Sequence, residues 1–137
     1  MSNLLSGLET PLADVLQATQ EGRLNELDAV YKLGASIVVT AFPVNSPNDF
    51  ANDSDRPVIT IPKYMPDDDV KIYTGWVDLM SENEKDSVVK SNLTATMLFV
   101  NHSPSMELAR EKVYRRINEL ALPGLAYRSD IGKRYTL

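Results

Sequence analysis

The residues best suited to chemistry lie near the end of the chain. Arg128, Asp130, Lys133 and Arg134 cluster around Gly132. Two guanidiniums offer forked donors that match phosphate or carboxylate oxygens. A glycine among them lets a ligand approach the backbone. With Asp130 orienting one arginine, residues Arg128, Asp130, Gly132 and Arg134 read as a substrate-binding loop for an anion. The same residues suit a second role, in which Asp130 and Arg128 pin the C-terminal loop to the body. The surrounding charge is uneven. Residues 107–137 hold seven Lys/Arg and four Asp/Glu, a balance of +3. The 106 residues before them hold seven and fifteen, a balance of −8, which leaves the chain at −5. A basic segment on an acidic body suits a small anion better than a polymer, and it argues against nucleic acid as a partner. Solvated helix faces would produce the same imbalance.

The remaining candidates are sparse. His102 is the single histidine and cysteine is absent, so histidine-built zinc sites, thiolate sites and disulfides are excluded. A Ser-His-Asp arrangement would have to use His102, whose place between a strand and a helix cap suits a surface or hydrogen-bonded role better. Asp67-Asp68-Asp69 follows Pro66 and reads as a solvated turn rather than a metal site. Trp76 could stack on a ligand, but a half-buried sheet position is the default expectation. No phosphate-binding loop and no Gly-x-Gly-x-x-Gly run occurs. No catalytic and no metal-ligating residue is therefore assigned.

The elements that must position the basic loop follow from periodicity. Thr10-Pro11 predicts a helix start, with Thr10 as the cap, and Gly22 predicts its end. A second short helical piece is expected through Leu24, Leu27 and Val30. Ala35–Val44 is β-branched and reads as a buried strand. Residues 45–56 read as an exposed loop. Short strands are expected over Val58–Ile61, Val70–Val77 with a bulge at Gly75, Val88-Val89 within a polar hairpin connection, and Leu93–Val100. Ser103 or Ser105 caps the last helix, whose stripe is Ala109, Val113, Ile117 and Leu120. Glu111–Arg115 and Lys112–Arg116 fall on its wetter flanks. Pro123-Gly124 ends it, and Leu125–Tyr127 has strand character. This order predicts an α+β domain, a small antiparallel sheet flanked by two helices. At 137 residues one compact domain, or one with a small appendage, is expected. The start has no basic, apolar leader and no run approaches the roughly 18 residues of a membrane span, so a cytoplasmic protein without membrane contact is expected.

The C-terminal motif is similar to a known family. Ala109-Arg110-Glu111-Lys112-Val113-Tyr114, followed by Gly124-Leu125-Ala126-Tyr127-Arg128-Ser129-Asp130-Ile131-Gly132-Lys133-Arg134, resembles the end of the phosphoribosylamine–glycine ligase (glycinamide ribonucleotide synthetase) family. There a helix rich in A-R-x-K-x-Y leads into G-M-x-Y-R-x-D-I-G-x-R. Gly124, Tyr127, Arg128, Asp130, Ile131, Gly132 and Arg134 match, and Leu125 stands for the methionine. Upstream, Glu9-Thr10 before Pro11-Leu12 resembles the family's G-D-P-E-T-Q-P-L segment. Leu16–Leu27 resembles its L-x-x-A-x-x-G-x-L helix. Ile37–Pro43 resembles its strand ending in G-Y-P, with Ala41-Phe42 for Gly-Tyr. The resemblance implies residues 1–34 as a helical remnant of an ATP-grasp region and 35–137 as the ligase C-terminal-like domain, with a hybrid-motif fold. It also implies a domain that lines one side of a substrate cleft in ATP-dependent ligation of glycine to phosphoribosylamine, a step of purine synthesis.

The departures from the family bear on activity. The family's nucleotide lobes would precede Met1, and its magnesium carboxylate and asparagine would fall at or before Met1 and at Ser2, with Asn3 fitting only across a gap. Its arginine falls near Leu4 and its aspartate near Gly7. Its F-H-A-G-T stretch corresponds to Ile72-Tyr73-Thr74-Gly75-Trp76, and its glycine-glycine-arginine turn is replaced near Asn92–Thr96. ATP and magnesium are thus implied for the full-length family enzyme only, with no cofactor held by this chain alone. The expected partners are a separate ATP-grasp subunit and a phosphoribosyl ligand, and self-association is compatible with the fold. The alternatives are a non-enzymatic anion-binding or oligomeric scaffold module on the same fold, and an inactive relic.

Overall fold

A computed structural model describes residues 6–44, 55–63, 69–92, 95–120 and 122–135. They form an α+β domain with two helices and seven strands, all paired antiparallel, in two sheets. The chain runs α1 (Leu12–Gln20), a 3₁₀ turn (Leu24–Glu26), β1 (Ala35–Pro43), β2 (Val58–Pro62), β3 (Lys71–Thr74), β4 (Val77–Glu82), β5 (Asp86–Ser91), β6 (Met97–Ser103), α2 (Met106–Leu120), β7 (Leu125–Tyr127) and a last 3₁₀ turn (Lys133–Tyr135). The first sheet has the order β3-β6-β1-β7 and the second β2-β5-β4. No helix among the described residues is long and apolar enough to cross a membrane.

The centre of the fold is the β1–β6 ladder, which runs from Ala35 opposite Ser103 to Ala41 opposite Met97. Alternation along it sends Ile37, Val39 and Ala41 of β1 to one face, with Phe99 of β6 paired to Val39. Helix α2 covers that face with Ala109, Val113 and Ile117, each no more than 2% exposed. Its stripe is therefore the expected one. Ser105 is the cap, with its Oγ accepting the Leu108 N–H at 3.2 Å. Ile59 and Val89 carry the second sheet into the same core.

Several elements differ from the sequence expectation. Val70–Val77 is not one strand with a bulge. Gly75-Trp76 carries the chain from β3 in the first sheet to β4 in the second. There the Gly75 N–H donates to Thr96 O and the Trp76 N–H to Ala95 O. A Cβ on Gly75 would lie 2.2 Å from Ala95 O, so only glycine lets the two segments cross this closely. Trp76 at the crossover is 71% exposed rather than half-buried. The expected Leu93–Val100 strand begins at Met97 and continues to Ser103, so His102 is a sheet residue. The polar connection is a hairpin whose turn is drawn tight by Asn83 Oδ1, which accepts the Lys85 and Asp86 N–H groups. Thr10 does not cap α1. Pro11 takes that position, and Thr10 Oγ1 accepts the Val30 N–H at 2.8 Å. The second helical piece shrinks to the Leu24–Glu26 turn. Residues 45–54 of the expected loop, and Asp67-Asp68, lie outside the described residues.

Arg116 is the clearest correction. Expected on the wet flank of α2, it is only 9% exposed. Its guanidinium reaches Glu119 at 3.1 Å while its stem is covered. Ile117→Ala is expected to lower unfolding stability by about 2–4 kcal/mol through lost burial and a cavity. Arg116→Ala is expected to cost on the order of 1 kcal/mol through lost packing. Urea denaturation of both variants checks this, and a neutral Arg116→Ala would mean that the arginine stem contributes nothing to the core.

Candidate anion-binding loop

The loop that carries the basic residues is built outward from α2. Gly124 turns the chain after the helix in a left-handed conformation (φ +72°), tight against Pro57. Strand β7 then pairs with the end of β1, Leu125 opposite Pro43 and Tyr127 opposite Ala41. Arg128 leaves the sheet edge, Ser129–Gly132 form a turn, and the Lys133 N–H closes it on Asp130 O at 3.1 Å. Ile131 packs against the core from within this turn.

Three of the four expected site residues are polar and exposed, and two of them bind each other. Arg128 Nε donates to Asp130 Oδ1 at 3.0 Å and Nη2 to Oδ2 at 2.7 Å, a bidentate pair. Asp130 thus orients Arg128. It does not reach the body, so this pair is not what pins the loop. Through that pairing the Arg128 guanidinium holds the Asp130 carboxyl below its ordinary value, with a smaller attraction from Arg134. The same bond raises the Arg128 pKa. Arg134 is exposed and has no hydrogen bond or ion pair among the described residues. Gly132 has φ +77°, and a Cβ there would lie 3.1 Å from Met106 Sδ and 3.2 Å from Ile37 Cδ1. The positive φ favours glycine here, and the position where a side chain would start faces the core.

The residues that fasten the loop were missed by sequence reasoning. Arg110, Tyr114 and Asn118 repeat every four positions along one flank of α2. Arg110 Nη2 donates to Ser129 O, and Tyr114 Oη donates to Arg128 O at 2.6 Å. The Arg110 guanidinium lies 4.5 Å from the centre of the Tyr114 ring, a cation–π contact. Tyr127 stands beside them, its ring centre 6.1 Å from that of Tyr114, with its hydroxyl on Asn118 Oδ1 at 3.1 Å. Burial pushes the Tyr114 hydroxyl above its ordinary range, opposed by the Ile131 N–H and the Arg110 charge. The four-residue spacing was the available signal. It marks a helix flank without saying what meets it.

The other candidates take up structural roles. His102 Nδ1 lies 2.8 Å from Ser36 Oγ, and Nε2 lies 3.4 Å from Leu33 O. Asp69 pairs with Lys112, which draws its carboxyl below the ordinary value. Glu82 pairs with Lys63 to the same effect. Among the described residues no group of three or more His, Asp or Glu is placed to hold a metal ion. The positions aligned with the family's magnesium ligands, Met1 to Asn3, and Leu4 lie outside the described residues. Of the carboxylates near the former candidates, Asp69, Glu82 and Asp130 each face a cation. No family model matches this chain, and neither does any curated protein.

The Asp130 carboxylate is depressed in the folded protein, so its pairing stabilises the fold above the unfolded carboxyl pKa, near 3.8. That contribution is lost as pH falls through the lower folded value. Asp130→Asn is expected to flatten the melting temperature profile below about pH 4 and to leave it unchanged in slope near neutrality. Tyr114→Phe is expected to cost about 0.5–1.5 kcal/mol, the net value of one hydrogen bond. Thermal melts from pH 2 to 7 read both, and an unaltered acid limb in Asp130→Asn would show the pair to be absent in solution.

Proposed function

We propose that this chain acts as a C-terminal domain of the phosphoribosylamine–glycine ligase kind, lining one side of a substrate cleft for ATP-grasp lobes supplied elsewhere. The observation that carries the reading is the Tyr127-Arg128-Ser129-Asp130-Ile131-Gly132-Lys133-Arg134 run on a loop fastened to α2 through its carbonyls. Holding the loop by backbone oxygens leaves the side chains exposed. Arg128 keeps donors beyond those bound to Asp130, and Arg134 stands open to solvent. An exposed guanidinium pair beside a fixed turn favours a phosphate or carboxylate of a phosphoribosyl ligand. The domain contributes binding and no catalytic group of its own, and its placement in the cytoplasm belongs to this same reading.

One observation favours a second reading. The tight packing of Gly132 on Met106 and Ile37 gives the loop a structural purpose that needs no ligand. On that reading the chain is a scaffold module.

Calorimetric titration separates the two. Glycinamide ribonucleotide and ribose 5-phosphate are expected to bind, with ATP as the non-binding control. Arg134→Ala is expected to weaken binding by about 1.5–3 kcal/mol, the value of a charge-assisted hydrogen bond, and to leave the melting temperature nearly unchanged. Arg134→Lys would rescue poorly, because an ammonium lacks the planar fork. The 137-residue chain by itself is expected to give no ATP-dependent ligation of glycine to phosphoribosylamine. A lowered melting temperature in Arg134→Ala, with no phosphoribosyl ligand bound by the unmodified protein, would leave only the scaffold reading. Turnover by this chain alone would overturn both.

A further inference from the structure

The segment before β1 closes on itself. Leu8 and Tyr31 form an isolated antiparallel bridge. Around it the Glu9 N–H donates to Val30 O at 2.8 Å, the Lys32 N–H to Gly7 O at 2.7 Å, and the Val30 N–H to Thr10 Oγ1 at 2.8 Å. These bonds form a neck, and everything between Thr10 and Val30 is enclosed by it. Helix α1 packs chiefly on the Leu24–Glu26 turn within the same enclosure. The segment buries little of its own apolar surface. Ala18 is its one buried hydrophobic residue among those described, while Leu12, Leu16, Leu24 and Tyr31 are each more than 40% exposed. Few buried contacts and self-contained backbone bonding are the physical marks of a unit that opens below the global unfolding free energy.

Among the described residues a polar chain joins it to the sheet. Ser6 Oγ donates to Ser36 Oγ at 2.8 Å, and Ser36 Oγ meets His102 Nδ1 at 2.8 Å. With the imidazole proton on Nε2, directed at Leu33 O, every partner in this chain has one consistent role. Two glycines close around the ring. A Cβ on Gly7 would lie 3.2 Å from His102 Cε1, and one on Gly34 would lie 3.1 Å from Nε2. Gly34 also has φ +140°, and its Cβ would fall 2.3 Å from Ser103 O. The segment thus joins β1 through a residue that is conformationally free and sterically close-fitted, with the imidazole held between the two ends of the neck.

We propose that residues 7–32 are a hinged lobe that undocks from the sheet as one unit about Gly34, with the Ser6–Ser36–His102 hydrogen-bond chain as its latch. Undocking leaves the neck and α1 intact relative to each other and both sheets folded. It presents the lobe's exposed leucines and Tyr31 as a surface free to move relative to the domain. This device is independent of the anion-binding loop, which is anchored on α2.

Hydrogen-exchange mass spectrometry on the full chain tests it. The α1 amides and the neck amides of Glu9 and Lys32 are expected to share one exchange rate, at least tenfold faster than β1 and β6. Ser36→Ala is expected to speed that shared rate by a further threefold to tenfold and to leave the sheet amides unchanged. The chain has no native cysteine, so Ser6→Cys with Ser36→Cys gives a unique reducible clamp at the latch. Its oxidised form is expected to slow exchange across residues 7–32 at least fivefold, and reductant to reverse this. Neck amides as protected as β6, sheet amides accelerated equally by Ser36→Ala, or identical exchange in the oxidised and reduced clamp would each overturn the proposal. Should Ser36→Ala fail to fold, the clamp in its two redox states still decides.

Discussion

The β1–β6 ladder is the constraint on which the rest of the molecule depends. Its two strands pair over seven residues each, and their shared face is sealed by α2. Every other part of the first sheet is attached to one of these strands, β3 to β6 and β7 to β1. The core residues with the least exposure, among them Val39, Ala41, Met97, Phe99 and Val113, all belong to these three elements. Register matters here because a shift of one residue would turn Ile37, Val39 and Phe99 away from α2. Buried polar groups support the same register. Asn101, 2% exposed, donates to Asp69 O and accepts from Ser103 Oγ at 2.6 Å, so both polar ends of this buried amide are partnered.

From this ladder the two outlying features inherit their positions by different means. The basic loop is reached through apolar packing and then held by polar contacts to its carbonyls. Ile131 and Gly132 sit against the core, while Arg110 and Tyr114 grip the backbone from α2. The described N-terminal segment is joined by a hydrogen-bond chain and by glycine packing on the imidazole, at the end of the ladder where Ser36 pairs with His102. Apolar burial accumulates over area, whereas a few hydrogen bonds exchange readily with water. On that difference rests the proposal that the N-terminal segment undocks while the C-terminal loop stays in place.

The second sheet shows how little separates a single strand from two. Residues 70–77 alternate as one strand would, yet Gly75 passes the chain beneath Ala95 and into a different sheet. A side chain at that position would collide with the Ala95 carbonyl oxygen. Lys63, at the end of β2, then pairs with Glu82 of β4 across the width of the second sheet, and Arg56 pairs with Asp78. The exposed Lys63–Glu82 pair adds little stability by itself, but both pairs match charges along a sheet whose outer strands are joined through β5.

The sequence by itself determined the elements whose signals are local. The α2 stripe of Ala109, Val113 and Ile117, the β-branched run of β1, the Gly124 stop and the α+β order could all be read from spacing, because periodicity records which side of an element is dry. It also showed that a guanidinium cluster with one carboxylate sits on a loop, since those residue types speak for themselves. Only the tertiary structure decided matters that depend on distant neighbours. The burial of Arg116 follows from how α2 sits on β1 and β6. The split at Gly75 follows from the nearness of Ala95. The inward reason for Gly132 follows from Met106 and Ile37. The fastening of the loop by Arg110 and Tyr114 follows from a helix flank meeting a turn fourteen to nineteen residues further along. A local pattern states that a residue is polar, apolar or flexible. Which surface it meets is set by the packing of elements far apart in the chain, and that information exists only once the chain has folded.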